Sequence, residues 1–178
     1  MHFKKSKVYI DKTFGPSQWG SYKVVEAKKE LLAPCGLYCG VCRIYQAHQD
    51  NNLEFKKEIL PTLHDFGVKS VDDIACTGCL SDGVIFHFCR TCPIKDCIKD
   101  KNFEGCYQCD DFPCTIITNW PDSLDQKVML RAIPTWHNIG TVKWVEAEEK
   151  RYQCPKCSTL LFHGARSCKK CNFRVDLD

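Results

Sequence analysis

No stretch of the sequence approaches the roughly 18 consecutive apolar residues of a membrane-spanning helix, so a membrane is not among the expected partners. The run from Met1 to Ile10 carries charge but leads into no apolar segment, and it does not read as a secretory signal. At 178 residues the chain is too short for a large enzyme barrel and suits one modest domain with an appended module. A strong net charge is missing as well: the formal value is +3. Aliphatic residues are scarcer than the 44% hydrophobic content implies, because that figure counts fifteen cysteines. No general base stands beside a nucleophile at a recognisable spacing, which argues against catalysis. A soluble, cytoplasmic protein is expected.

The small net charge is unevenly distributed. Residues 1–34 hold seven Lys against three acids, residues 35–119 eight Lys/Arg against twelve acids, and residues 120–178 ten Lys/Arg against seven acids. An acidic, cysteine-rich middle is a poor binder of phosphate. Only the last 29 residues, with seven Lys/Arg and two Asp, keep nucleic acid as an alternative partner. The plainer expectation is a solvated surface whose sign varies.

What the chain does have is thiols. Eleven fall between Cys35 and Cys114, and four more (Cys154, Cys157, Cys168, Cys171) lie near the C-terminus. A small protein with this many cysteines is held either by disulfides or by metal. A reducing cytoplasm disfavours disulfides, and an odd total of fifteen fits a closed disulfide framework badly. Metal is the better account.

Residues 1–30 read as an N-terminal extension, residues 31–120 as a cysteine-rich metal core, 121–152 as a helical connector packed on it, and 153–178 as a zinc ribbon. Within the extension, residues 7–10 suit a short strand and 14–20 a loop, with Trp19 and Tyr22 as packing anchors. A helix is expected from Ser21 to Leu32, stopped by Pro34. Others are expected from Cys39 to His48, from an Asn51 or Asn52 cap through Leu60 to Gly67, from Pro93 to Lys101, and from Cys114 toward Trp120. Two amphipathic helices complete the connector, Leu124–Ile133 and Thr141–Tyr152, broken by Pro134 and Gly140. The expected class is a small metal-stabilised α+β protein: short helices and loops around the metal core, plus a C-terminal β zinc ribbon.

That ribbon rests on the clearest motif in the chain. Cys154-x2-Cys157 and Cys168-x2-Cys171 are two tight turns separated by ten residues, each able to aim two thiolates at one point. Together they make a closed tetrahedral sulfur site for zinc, with strands expected at Leu160–Phe162 and Phe173–Leu177. A site with no open position serves folding. Lys156, Arg166, Lys169, Lys170 and Arg174 form either a basic rim or merely the solvated tips of the turns. His163 is a spare ligand type that four thiolates do not need.

Spacing divides the core into Cys76/Cys79 with Cys89/Cys92, then Cys97, Cys106, Cys109 and Cys114, and finally Cys35, Cys39 and Cys42 as a set of three. That trio would need a fourth ligand from His48, His64, His87, water or a substrate. Zinc and iron–sulfur clusters both take thiolate, so both remain open for the core. The mixture of x2, x3 and x4 intervals suits clusters, and Cys92-Pro93 echoes the end of a ferredoxin ligand run. The paired x2 turns suit a second zinc site. The trio also has the spacing of radical enzymes that use S-adenosylmethionine, but those use a large barrel and an aromatic residue where this chain has Gly40. Phe86, Phe88, Phe103, Tyr107 and Phe112 lie between the cysteine groups and can either shield a metal or simply pack.

Leu37-Tyr-Cys39-Gly-Val-Cys42-Arg-Ile-Tyr45, Cys76-Thr-Gly-Cys79-Leu-Ser, Cys89-Arg-Thr-Cys92-Pro-Ile-Lys-Asp-Cys97 and Cys106-Tyr-Gln-Cys109-Asp-Asp-Phe-Pro-Cys114 resemble the prokaryotic family known as domain of unknown function 3795. The resemblance covers about residues 31 to 120 with all four cysteine groups in order. It implies a cytoplasmic metal-binding protein of mainly anaerobic hosts, some members carrying a similar C-terminal ribbon. It implies no reaction and no catalytic residue. The functional expectation is therefore a non-catalytic accessory or electron-transfer partner of a larger protein. The alternatives are a zinc-only module that binds nucleic acid or protein, and an enzyme with an open metal at Cys35, Cys39 and Cys42.

Overall fold

Ala27 begins the part of the chain that the computed structural model describes, residues 27–178. The strand at residues 7–10, the loop at 14–20 and the anchors Trp19 and Tyr22 lie outside the described residues, as does the first half of the helix expected from Ser21 to Leu32. Its last residues appear as a single 3-10 turn, Lys29–Leu31.

Helices dominate the described residues. After a 3-10 turn at Cys39–Val41 comes α1, Arg43–Gln49. Asn52 caps α2, Leu53–Ile59, by accepting the Phe55 amide at 3.0 Å, the role its short polar side chain suits. Pro61 does not break the path but tightens it into a 3-10 run, Leu60–Phe66, which Gly67 ends in the left-handed region at φ 78°. Ser70 and Asp73 form a reciprocal capping box around the 3-10 turn Val71–Asp73. The short α3, His87–Arg90, precedes α4, Pro93–Asp100, which starts on a proline whose missing N–H is no loss there. The single-turn α5, Thr115–Thr118, leads to the two longest helices, α6 (Ser123–Ile139) and α7 (Thr141–Arg151).

The expected break at Pro134 does not occur: α6 runs through it. An interior proline costs about 3 kcal/mol. Burial of Val128, Met129, Ala132, Ile133 and Trp136 along one face outweighs that. Leu130, whose carbonyl loses its partner, sits on the exposed side. Gly140, at φ 77°, does separate α6 from α7, which return antiparallel on each other.

The β half of the expected class shrinks. Among the described residues, pairing consists of two isolated antiparallel bridges, Gln153 with Leu160 and Ser167 with Arg174. The segments Leu160–Phe162 and Phe173–Leu177 therefore contribute one bridge residue each where strands were expected. Turns around the cysteines consume most of the backbone bonding here, and little chain is left for a ladder.

Two apolar clusters hold the molecule. One lies among α1, α2 and the adjoining 3-10 run, with Ile44, Ala47, Phe55, Ile59, Leu63 and Ile74. The larger joins the first cysteines to α6, α7 and the C-terminal segment. Its centre is aromatic: Trp136 and Trp144 stack at 4.1 Å and 4°, Tyr107 stacks on Trp136 at 4.3 Å, and Tyr38 meets Trp144 edge-on at 5.8 Å. These rings supply the bulk that a thin aliphatic content leaves wanting. Nearby, Arg131 from α6 makes a two-point contact to the buried Glu148 of α7, the second bond at 2.9 Å. No helix among the described residues is long and apolar enough to cross a membrane.

Candidate metal centres

The C-terminal segment folds into two turns of one shape. In the first, the Ser158 amide donates to the Cys154 carbonyl at 2.8 Å and the Cys154 amide to Thr159 at 2.9 Å. In the second, Asn172 donates to Cys168 at 2.8 Å and Cys168 to Phe173 at 2.9 Å. Each turn closes through a left-handed residue directly after its second cysteine, Ser158 at φ 58° and Asn172 at φ 56°. Small polar residues tolerate that region best among non-glycines.

The two turns bring the Sγ atoms of Cys154, Cys157, Cys168 and Cys171 within 4.8 Å of one another. Cys154 faces Cys171 at 3.6 Å, and Cys157 faces Cys168 at 3.6 Å. These are free thiols. A zinc–sulfur bond of about 2.3 Å sets the sulfurs of a regular tetrahedron about 3.8 Å apart, so the spacing fits one zinc-sized ion. The Thr159 hydroxyl lies 3.3 Å from Cys157 Sγ and, with the Thr159 amide, lowers the pKa of that thiol.

This segment is docked on the rest. The His163 amide donates to Val41 at 3.1 Å, and Gln46 Nε2 donates to Leu161 at 2.9 Å. Lys169, one of the five basic-rim candidates, pairs with Glu58 and sits 3.5 Å over the Phe55 ring. Lys169 is nonetheless exposed, as are Lys156, Arg166, Lys170 and Arg174.

The eleven core cysteines behave differently. Cys35, Cys39, Cys76 and Cys79 are buried, and Cys42, Cys89, Cys92, Cys97, Cys106, Cys109 and Cys114 are partly so. Among the described residues, none of them joins a group of three or more ligand atoms lying within 4.8 Å of one another. The same holds for His48, His64 and His87, and the last two are exposed. Burial first, and then the neighbouring Cys79, lifts the Cys35 thiol. Burial followed by Cys42 and Cys79 does the same for Cys39. Burial thus disfavours the thiolate at Cys35 and Cys39, so a metal binding there must displace their protons.

Two lysines were not legible as part of the site, because a lysine on a short helix reads as solvated surface. Lys95 of α4 donates to the carbonyls of Cys79 at 3.0 Å and Cys89 at 3.2 Å. Lys101, just past the end of α4, donates to Cys109 Sγ at 3.3 Å and to Asp111 at 2.8 Å.

Residues 31–119 match the family model described as "Protein of unknown function (DUF3795)". The chain belongs to this family. The matched part of this DUF3795 protein contains all eleven core cysteines, and the C-terminal four lie beyond it. No curated protein and no solved structure matches the chain.

Proposed function

We propose that this DUF3795 protein is a metal-binding accessory protein. Zinc sits in a ribbon made by Cys154, Cys157, Cys168 and Cys171. Thiolate-bound metal, as zinc or as iron–sulfur, occupies the core of Cys35, Cys39, Cys42, Cys76, Cys79, Cys89, Cys92, Cys97, Cys106, Cys109 and Cys114. The observation that carries this reading is the convergence of the four C-terminal thiols at single-ion spacing through two matching turns. A larger cytoplasmic protein is the partner, served by structural support or by electron transfer. Nucleic acid has less support, because the cysteine-rich middle of the chain is acidic.

Anaerobic purification followed by zinc, iron and acid-labile sulfide analysis tests the proposal. About one zinc for the C-terminal four thiols, with further metal in the core, is expected. A folded chain that holds no stoichiometric metal under reducing conditions would sink it.

A further inference from the structure

Four aromatic rings run unbroken through the larger apolar cluster. Tyr107 stacks on Trp136 at 4.3 Å, Trp136 lies parallel to Trp144 at 4.1 Å, and Tyr38 meets Trp144 edge-on at 5.8 Å. The two ends are distant in sequence, and each adjoins a cysteine: Tyr38 precedes Cys39, and Tyr107 follows Cys106. Glycine makes room for both end rings. A Cβ at Gly40 would lie 2.5 Å from the Tyr38 ring and displace it. One at Gly105 would lie 3.1 Å from Tyr107 and 3.3 Å from Trp136, crowding their stack.

Stacked rings in a core are ordinary packing. What sets these four apart is where their protons can go. The Tyr38 hydroxyl donates to Glu149 Oε1 at 2.9 Å, and the Tyr107 hydroxyl donates to Glu104 Oε2 at 3.2 Å. Both carboxylates are partly exposed, so each end of the stack has a base that reaches water. The middle lacks one. An indole N–H can only donate. Trp136 Nε1 donates to the Thr141 hydroxyl at 3.0 Å, a weak base, and Trp144 Nε1 is buried with no hydrogen-bond partner among the described residues.

That difference decides what each ring does on losing an electron. A tryptophan oxidised with no proton acceptor stays a cation, and a cation in an apolar interior is costly. It is refilled from whichever ring touches it. A phenol oxidised beside a carboxylate gives up its proton along the existing hydrogen bond and becomes a neutral radical, which the interior tolerates. Oxidation expels that proton at any ordinary pH. The tryptophans pass the vacancy on, and the tyrosines hold it.

We propose that Tyr107, Trp136, Trp144 and Tyr38 form a one-electron relay through the core, from the Cys106 segment to the Cys39 segment. The oxidant is an outer-sphere metal complex at the surface by Tyr107, which is partly exposed where Tyr38 is buried. In the balanced step the complex gains one electron and the Tyr38 phenol loses one. The Tyr38 O–H bond breaks, and its proton forms an O–H bond on Glu149. Tyr107, Trp136 and Trp144 return to their starting states, and a one-electron donor reverses the step. The relay deepens the electron-transfer form of the metal-binding reading and rests on it for its use in the cell, while the ring geometry itself needs no metal.

The test uses the full chain purified with zinc as the supplied metal, because zinc takes no part in redox chemistry. Flash photolysis of tris(bipyridyl)ruthenium(II) with a sacrificial quencher generates the ruthenium(III) oxidant in solution. Transient absorption and electron paramagnetic resonance then follow the radicals. In wild type a tryptophan radical cation should rise first and decay as a tyrosyl radical grows. Tyr38→Phe should lose that tyrosyl component, and so should Trp144→Phe, which keeps an aromatic ring in place but one much harder to oxidise. Trp120→Phe, outside the stack, should keep it. An undiminished tyrosyl signal in Tyr38→Phe or Trp144→Phe, or an equal loss in Trp120→Phe, would overturn the relay. Glu149→Gln preserves all four rings and covers the case in which the ring variants fail to fold. It should slow formation of the Tyr38 radical and abolish the slowing that deuterium oxide causes in wild type, and an unchanged rate and isotope effect would count against the relay. Metal is counted in the same samples. A zinc-loaded chain that forms no Tyr38 radical overturns the relay and leaves the metal-binding reading standing, whereas a metal-free chain that forms one does the reverse.

Discussion

Trp136 of α6 and Trp144 of α7 lie face to face, 4.1 Å apart and 4° from parallel, and both are almost fully buried. They join the two longest helices at a point where Tyr38, beside Cys39, and Tyr107, beside Cys106, also make ring contact. The apolar core and the cysteine groups thus share walls.

Truncating either tryptophan should therefore be costly. Trp144→Ala is expected to lower stability by about 3–5 kcal/mol. Urea unfolding of the metal-loaded protein measures it. A loss under about 1 kcal/mol would mean that the stacked pair does not anchor α6 to α7.

Arg131 and Glu148 should respond unequally to mutation. Glu148 is almost completely buried, whereas the Arg131 side chain is 28% exposed. Arg131→Ala strands a buried carboxylate and should cost about 3–5 kcal/mol. Glu148→Gln leaves a guanidinium that reaches water and retains a hydrogen-bond acceptor, and should cost about 1–2 kcal/mol. A double-mutant cycle by urea denaturation checks both, and equal costs would contradict the burial argument.

The C-terminal thiols should act as one site. Cys168→Ser is expected to lower zinc content by about one ion per chain and to depress the melting temperature, because metal binding here is folding free energy. Zinc analysis beside thermal unfolding gives the answer. Unchanged zinc content would exclude Cys168 as a ligand.

His163 predicts a pH dependence. Its Nε2 is buried with no hydrogen-bond partner, the Tyr152 ring lies edge-on at 4.9 Å, and burial lowers its pKa to about 4 despite the opposing charge of Asp178. Arg131 lowers it further. A folded pKa below the unfolded value of about 6.5 means that the unfolded chain binds the extra proton first. The contribution to stability is complete above pH 6.5, falls as pH drops toward about 4, and totals about 3–4 kcal/mol. The difference between urea midpoints at pH 7 and pH 5 should shrink in His163→Phe, and an undiminished difference would assign the pH dependence to other groups.

The helix starts were the most legible part of the fold. Asn52 and Pro93 mark them through local chemistry, which needs no knowledge of the remainder of the chain, whereas the Asp122 cap of α6 was not read. The passage of α6 through Pro134 was not legible, since burial of the whole helix face outweighed a local penalty. The C-terminal strands were overstated: apolar residues at 160–162 and from Phe173 onward look like strands of a ribbon, but each segment makes one bridge.

By itself the sequence determined the sulfur-rich chemistry, the family pattern through residue 114 and the two matching turns at the C-terminus. All of these depend on neighbours a few positions apart. Only the tertiary structure decided that Cys39 meets Cys79, that Lys95 of α4 bonds the backbone of Cys79 and Cys89, that Lys101 just past its end reaches Cys109, and that the C-terminal turns dock on α1 and α2. Contacts forty or more residues apart depend on how helices pack and where Gly78 lets two backbones touch. Spacing along the chain carries no record of that.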